Sequence, residues 1–124
     1  MTNSTEPSYG TSGSALVVLD DQRAALSTVL VLQEMGLTVD VAADLGAATA
    51  WARMARYAVI VCGGAGVEDL VAFALRVRAS SPVTQILLLG HVGPIADLDG
   101  IGVQVLQPPV NVNALVDRLR PLAA

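Results

Sequence analysis

The stretch Tyr57-Ala-Val-Ile-Val-Cys62, with Gly63-Gly64-Ala65-Gly66 behind it, limits the fold more than any other part of the chain. It is apolar almost throughout, too short for a helix of its own, and stopped by glycine. That is the pattern of a strand covered on both faces, as at the centre of a parallel sheet. In open α/β sheets, ligands and chemistry gather just beyond the carboxyl ends of such strands. A site in this chain is therefore expected around Cys62 and the turn of Gly63, Gly64 and Gly66.

The rest of the chain alternates around that strand. Residues 15–19, 85–89 and 103–106 are further short apolar runs, and residues 37–42 alternate as an edge strand would. Residues 22–35 change to a helical period, with Ala25, Leu26, Val29, Leu30 and Leu32 as a wide apolar face, and Gly36 ends them. Asp44 caps a second helix over 45–55, where Trp51 and Met54 are expected to pack. A third helix over 68–79 sets Val71, Leu75 and Val77 inward and Arg76 and Arg78 outward. Residues 91–102 contain Gly93, Pro94, Gly100 and Gly102, so a fourth helix is cut to about one turn near Ile95. A last helix starts from a cap at Asn111 and runs through Leu119. Strands alternating with helices imply right-handed βαβ units and a doubly wound α/β fold.

Residues 1–14 are rich in Ser, Thr, Gly and Asn and read as a disordered arm; residues 15–124 form one domain. Apolar residues make up 53% of the 124, enough for a real core. The net charge of -4 argues against a nucleic-acid partner or an anionic membrane surface. No apolar run approaches the roughly 20 residues that span a bilayer. The first residues lack both a basic start and an apolar core, so no signal peptide is expected. A single cysteine excludes an internal disulfide and suits the cytoplasm.

Several residues carry two readings. Asp20 and Asp21 could hold a divalent cation with the Gly64 carbonyl, or form a solvated acidic corner. Cys62 has no Lys, Arg or His beside it in sequence, which favours a small buried apolar residue over a reactive thiol. The amides of Gly63, Gly64 and Gly66 could cradle a ligand or anion, although the spacing is that of no phosphate-binding motif. His91 is the only histidine and reads as an exposed loop residue.

Five strand–helix units, an acidic pair ending the first strand and a Gln107-Pro108 step ending the fifth together resemble the receiver domain of response regulators. The resemblance spans residues 15 to about 122. It implies a five-stranded parallel sheet of flavodoxin-like order 2-1-3-4-5, here with a shortened fourth helix. Receivers carry an acidic pair after strand one, an acceptor Asp ending strand three and a Ser or Thr ending strand four. Their fifth strand supplies a switching aromatic and a Lys-Pro step. In this sequence the pair is Asp20 and Asp21. Cys62 stands for the acceptor, Gly90 for the hydroxyl residue, Gln104 for the aromatic and Gln107 for the lysine.

Each replacement removes a chemical part. A thiol makes no acyl phosphate and is a poor magnesium ligand. Glycine has no hydroxyl for a phosphoryl oxygen, and glutamine has no charge to pair with one. The expectation is a pseudo-receiver: no enzyme, no phosphorylation at the third strand, and at most weak Mg2+ on Asp20 and Asp21 as cofactor. Replacing Cys62 with Asp is expected to rebuild a three-carboxylate cation site.

The resemblance implies a two-component or phosphorelay-type module that works by protein–protein interaction. Its partner would be a histidine kinase, a regulator-type signalling protein or a second copy in a homodimer. In the family, helix four, strand five and helix five form the docking face; here Val110, Val112, Leu115 and Val116 are expected to leave apolar surface on it. The alternative is a small molecule bound at the strand ends in place of phosphate.

Overall fold

A computed structural model of the chain describes residues 13–64, 66–90, 102–107 and 112–123. The apolar runs become β1 (Ser14–Val18), β2 (Thr38–Val41), β3 (Val59–Gly63), β4 (Gln85–Leu89) and β5 (Val103–Leu106). The helical periods become α1 (Gln22–Glu34), α2 (Leu45–Met54), α3 (Val67–Ser80) and α4 (Val112–Ala123). Every strand pair is parallel and the order is β2-β1-β3-β4-β5, with β3 in the middle. The doubly wound sheet and its order are as expected. The shortened fourth helix and most of the N-terminal arm lie outside the described residues, as does His91.

Successive side chains of a strand leave on opposite faces, and here both faces are apolar. Leu16, Val18, Ile60, Cys62, Ile86 and Leu88 pack with α2 and α3. Ala15, Val17, Val59, Val61, Leu87 and Leu89 pack with α1 and α4. Two cores therefore share one sheet. Asp21 caps α1 by accepting from the Arg23 N–H at 3.1 Å, and Asp44 caps α2 by accepting from the Ala47 N–H at 2.8 Å. Caps of this kind are worth about 1 kcal/mol each. Gly36 takes the chain out of α1 at φ 91°, in the left-handed region that favours glycine.

The helix faces are narrower than the sequence suggested. Leu26 and Leu30 are 61% and 53% exposed, because at 100° per residue they fall on a flank of α1. The inner face of α1 is Thr28 and Leu32, with Ala25 and Val29 partly buried; the Thr28 hydroxyl is satisfied by donating to the Ala24 carbonyl at 2.7 Å. In α3 the buried positions are Leu70, Phe73, Ala74 and Val77, and Leu75 is exposed. Trp51 and Met54 do not pack as expected: Ala48 is the buried residue of α2, and Met54 is 81% exposed. The third strand also shifts, starting at Val59 and ending at Gly63.

Side chains tie the edge of the sheet where the strands begin. The Tyr57 hydroxyl donates to Asp40 at 2.8 Å, reaching from β3's approach to β2. Thr84 donates to the Tyr57 carbonyl at 2.7 Å and shares a 2.6 Å hydroxyl pair with Ser81. Arg78 donates to the carbonyls of Ser81 at 3.3 Å and Gly102 at 3.2 Å, fastening the end of α3 to the start of β5.

Candidate functional site

The parallel register brings the carboxyl ends of the strands together. Val18 lies across from Cys62, Gly63 across from Leu89, and Leu89 across from Leu106. Asp20, Asp21, Gly64, Gly90 and Gln107 follow directly, so they share this edge of the sheet. Gln104 sits inside β5 opposite Leu87 and is half-buried.

Cys62 does not face that edge. It is one residue short of the end of β3, fully buried, and packed in the core under α2 and α3. Loss of hydration pushes its thiol up from 9.0 to about 12, so it stays protonated at neutral pH. The residue that ends β3 is Gly63. Along the strand, Gly63 is in phase with Val59 and Val61, and Cys62 with Ile60.

The space at Gly63 is closed. A Cβ built there would lie 2.5 Å from the Leu89 carbonyl oxygen and 3.1 Å from a Leu19 methyl. At Gly64 the chain turns with φ 88°, and a Cβ would run into the Asp20 carboxyl group, which lies against it. Gly90 is different. Among the described residues nothing comes within 4 Å of a Cβ there, and its N–H donates to the Leu106 carbonyl at 3.1 Å.

The charged groups are few and partly engaged. Asp20 is exposed, and Asp21 is already accepting from the first turn of α1. Among the described residues no three carboxylate, histidine or cysteine side chains gather as a metal site. Magnesium held by only one or two carboxylates relies on substrate phosphate for further ligands. The residues present are therefore a poor fit for a resident magnesium ion. Gly66 caps α3 without a side-chain hydrogen bond, and Glu68 and Asp69 occupy the first turn. Those two carboxylates work against an anion at that helix end.

The partner face is also smaller than expected. Leu115 is buried in the core with α1, because it shares the inner face of α4 with Leu119. It is not available to a partner, and Val116 is half-buried. Val110 and the side chain of Val112 lie outside the described residues.

Solved structures superpose on the whole of this arrangement. The chemotaxis response regulator CheY4 of Vibrio cholerae matches at 27% identity with a TM-score of 0.71, covering 90% of this chain and 99% of that one. This chain has the fold of a response-regulator receiver domain. A response regulator from Thermotoga maritima matches at 18% identity and TM-score 0.72, covering 89% of this chain and 97% of that one. A member of a family of redox sensors in the streptococci that evolved from two-component response regulators matches at 23% identity and TM-score 0.68, covering 89% of this chain and 51% of that one. Neither a protein-family model nor a curated protein sequence matches this chain.

Proposed function

We propose that this receiver is a signalling module that is not phosphorylated at the end of β3 and acts by binding a protein partner. The receiver fold supports a role in two-component signal transduction, where receivers are signalling modules rather than enzymes. The partner would be a histidine kinase, a regulator-type signalling protein or a second copy, in the cytoplasm. One observation carries the reading. The position that ends β3 has no side chain and no room for one, while the adjacent thiol is buried on the other face of the sheet. Gly90 and Gln107 add no hydroxyl and no cation. A phosphoryl group would find neither a nucleophile nor a grip there.

Amide spectra of the labelled chain, recorded with magnesium and a small acyl-phosphate donor, test this. The expected result is no change beyond Asp20, Asp21 and their neighbours. A second set of resonances spreading into β4 and β5 would overturn the proposal, since it would report a bound phosphoryl group biasing a second state.

A ligand-regulated receiver is the second reading. The space that the described residues leave over Gly90 favours it, and the streptococcal redox sensors give a precedent for another input on this fold. Melting-temperature shifts in a metabolite screen would support it if they vanished in Gly90→Leu.

A further inference from the structure

Away from the strand ends, α2 and α3 leave a groove between them on the face opposite α1 and α4. It has a volume of about 250 Å³. Its floor is Ala52 and the outer edges of Phe73 and Val77, and its rims carry Arg53 from α2 and Arg76 from α3. No carboxylate lines it, although the chain has 11 acidic residues against seven basic ones.

Two observations distinguish these arginines from an ordinary solvated face. Neither side chain makes an ion pair or hydrogen bond among the described residues, although the Arg76 carbonyl accepts from the Ser80 hydroxyl at 3.1 Å. The carbonyl of Ser81, which caps the end of α3, is already served by Arg78, so the Arg76 side chain is surplus to that role. Arg is among the residue types over-represented in protein interfaces.

The size of the groove selects among occupants. Small-molecule pockets usually exceed about 300 Å³ and enclose most of the ligand. This one is smaller and open along one side, which suits a single side chain of a partner laid across the surface. We infer that the α2–α3 groove docks an acidic segment of a partner protein, with one large apolar side chain on Phe73 and Val77 and carboxylates on Arg53 and Arg76. The inference rests on the proposed protein-binding function and names the surface and the chemistry it reads.

An N-acetylated Glu-Glu-Phe-Glu-Glu peptide titrated into the full labelled chain tests it, with the single tryptophan as a second readout. The account expects amide shifts centred on Ala52, Phe73 and Val77. Binding should weaken at least tenfold in the Arg53→Glu, Arg76→Glu double variant, whose positions are exposed. Should that variant fold poorly, the unmodified chain still decides the matter. Its affinity should fall severalfold between 0.05 and 0.5 M salt, and a lysine version of the peptide should bind at least tenfold more weakly. Equal binding of the lysine peptide, or shifts centred elsewhere, would overturn the inference. So would phenylacetate binding as tightly as the peptide, which would indicate a small-molecule site, or dimerisation lost in the double variant, which would indicate a second copy. Phosphate uptake at β3 with the groove still binding peptide would end the functional proposal and leave the groove standing.

Discussion

The two ends of the sheet are built in opposite ways. Where the strands begin, Tyr57, Asp40, Thr84, Ser81 and Arg78 form a chain of hydrogen bonds across β2, β3, β4 and β5. Where the strands finish, Gly63, Gly64 and Gly90 replace side chains, Asp20 rests against Gly64, and Asp21 serves its own helix. The first end spends its polar groups on holding strands together. The second is the end at which a receiver does its chemistry; on the proposed reading that chemistry is gone while the core beneath stays packed. Fold and switching would then be separable, because they depend on different residues at different ends.

The largest effect should come from treating Cys62 as though it faced the site. Cys62→Asp places a carboxyl group in the core under α2 and α3, so it should cost more than about 3 kcal/mol at neutral pH. It should not raise magnesium affinity. Burial lifts the folded-state pKa of that carboxyl above the ordinary value of about 3.9. The penalty should therefore be smallest below that pH and grow as pH rises towards the folded value. Urea denaturation at acidic and neutral pH measures it; a stable variant that binds magnesium tightly would return Cys62 to the site.

Thr84→Val probes the opposite end. It leaves the Tyr57 carbonyl and the Ser81 hydroxyl without their partner, and Thr84 itself is buried. A loss of about 1–3 kcal/mol is expected. A neutral result would mean that this end is no better tied than the other.

Two alanine substitutions compare positions on the emptied edge itself. Gly63→Ala must push aside the Leu89 carbonyl or Leu19 and should cost about 1–3 kcal/mol, whereas Gly90→Ala meets nothing among the described residues and should stay within about 0.5 kcal/mol. Equal costs would show that the closure over Gly63 is not real.

Alkaline pH gives the most general effect. The Cys62 thiol is raised from 9.0 by burial, and the Tyr57 hydroxyl from 10.0 by burial and by its bond to Asp40, both to about 12. Both folded-state values lie above the unfolded ones. Their stabilisation is therefore intact below pH 9 and is lost as pH rises from there towards 12. Melting temperature should fall over that window, and in Cys62→Ala the fall should begin nearer pH 10.

Most of the fold was legible from residue order alone, because β-branched runs broken by glycine and capped helical periods leave little choice of layer architecture. The bounds of β4 and β5 follow directly from Gly90 and from the Gly102 and Gln107 positions that frame them. The site was less legible. Counting β3 from Tyr57 stopped it at Cys62, one residue short of the Gly63 that ends it. Tyr57 looked like the first strand residue because aromatic side chains suit strands; it is held instead by Asp40 and Thr84, a contact set far apart in sequence with no local signature. The exposure of Met54 was hidden likewise, since an apolar residue on a short alanine-rich helix reads the same whether it meets the core or water.

The central claim is that the end of β3 cannot accept a phosphoryl group. Intact mass spectrometry of the unmodified chain, after incubation with magnesium and a small acyl-phosphate donor, tests it directly. The account predicts an unchanged mass. A gain of one phosphoryl group, released by hydroxylamine as an acyl phosphate is, would contradict it.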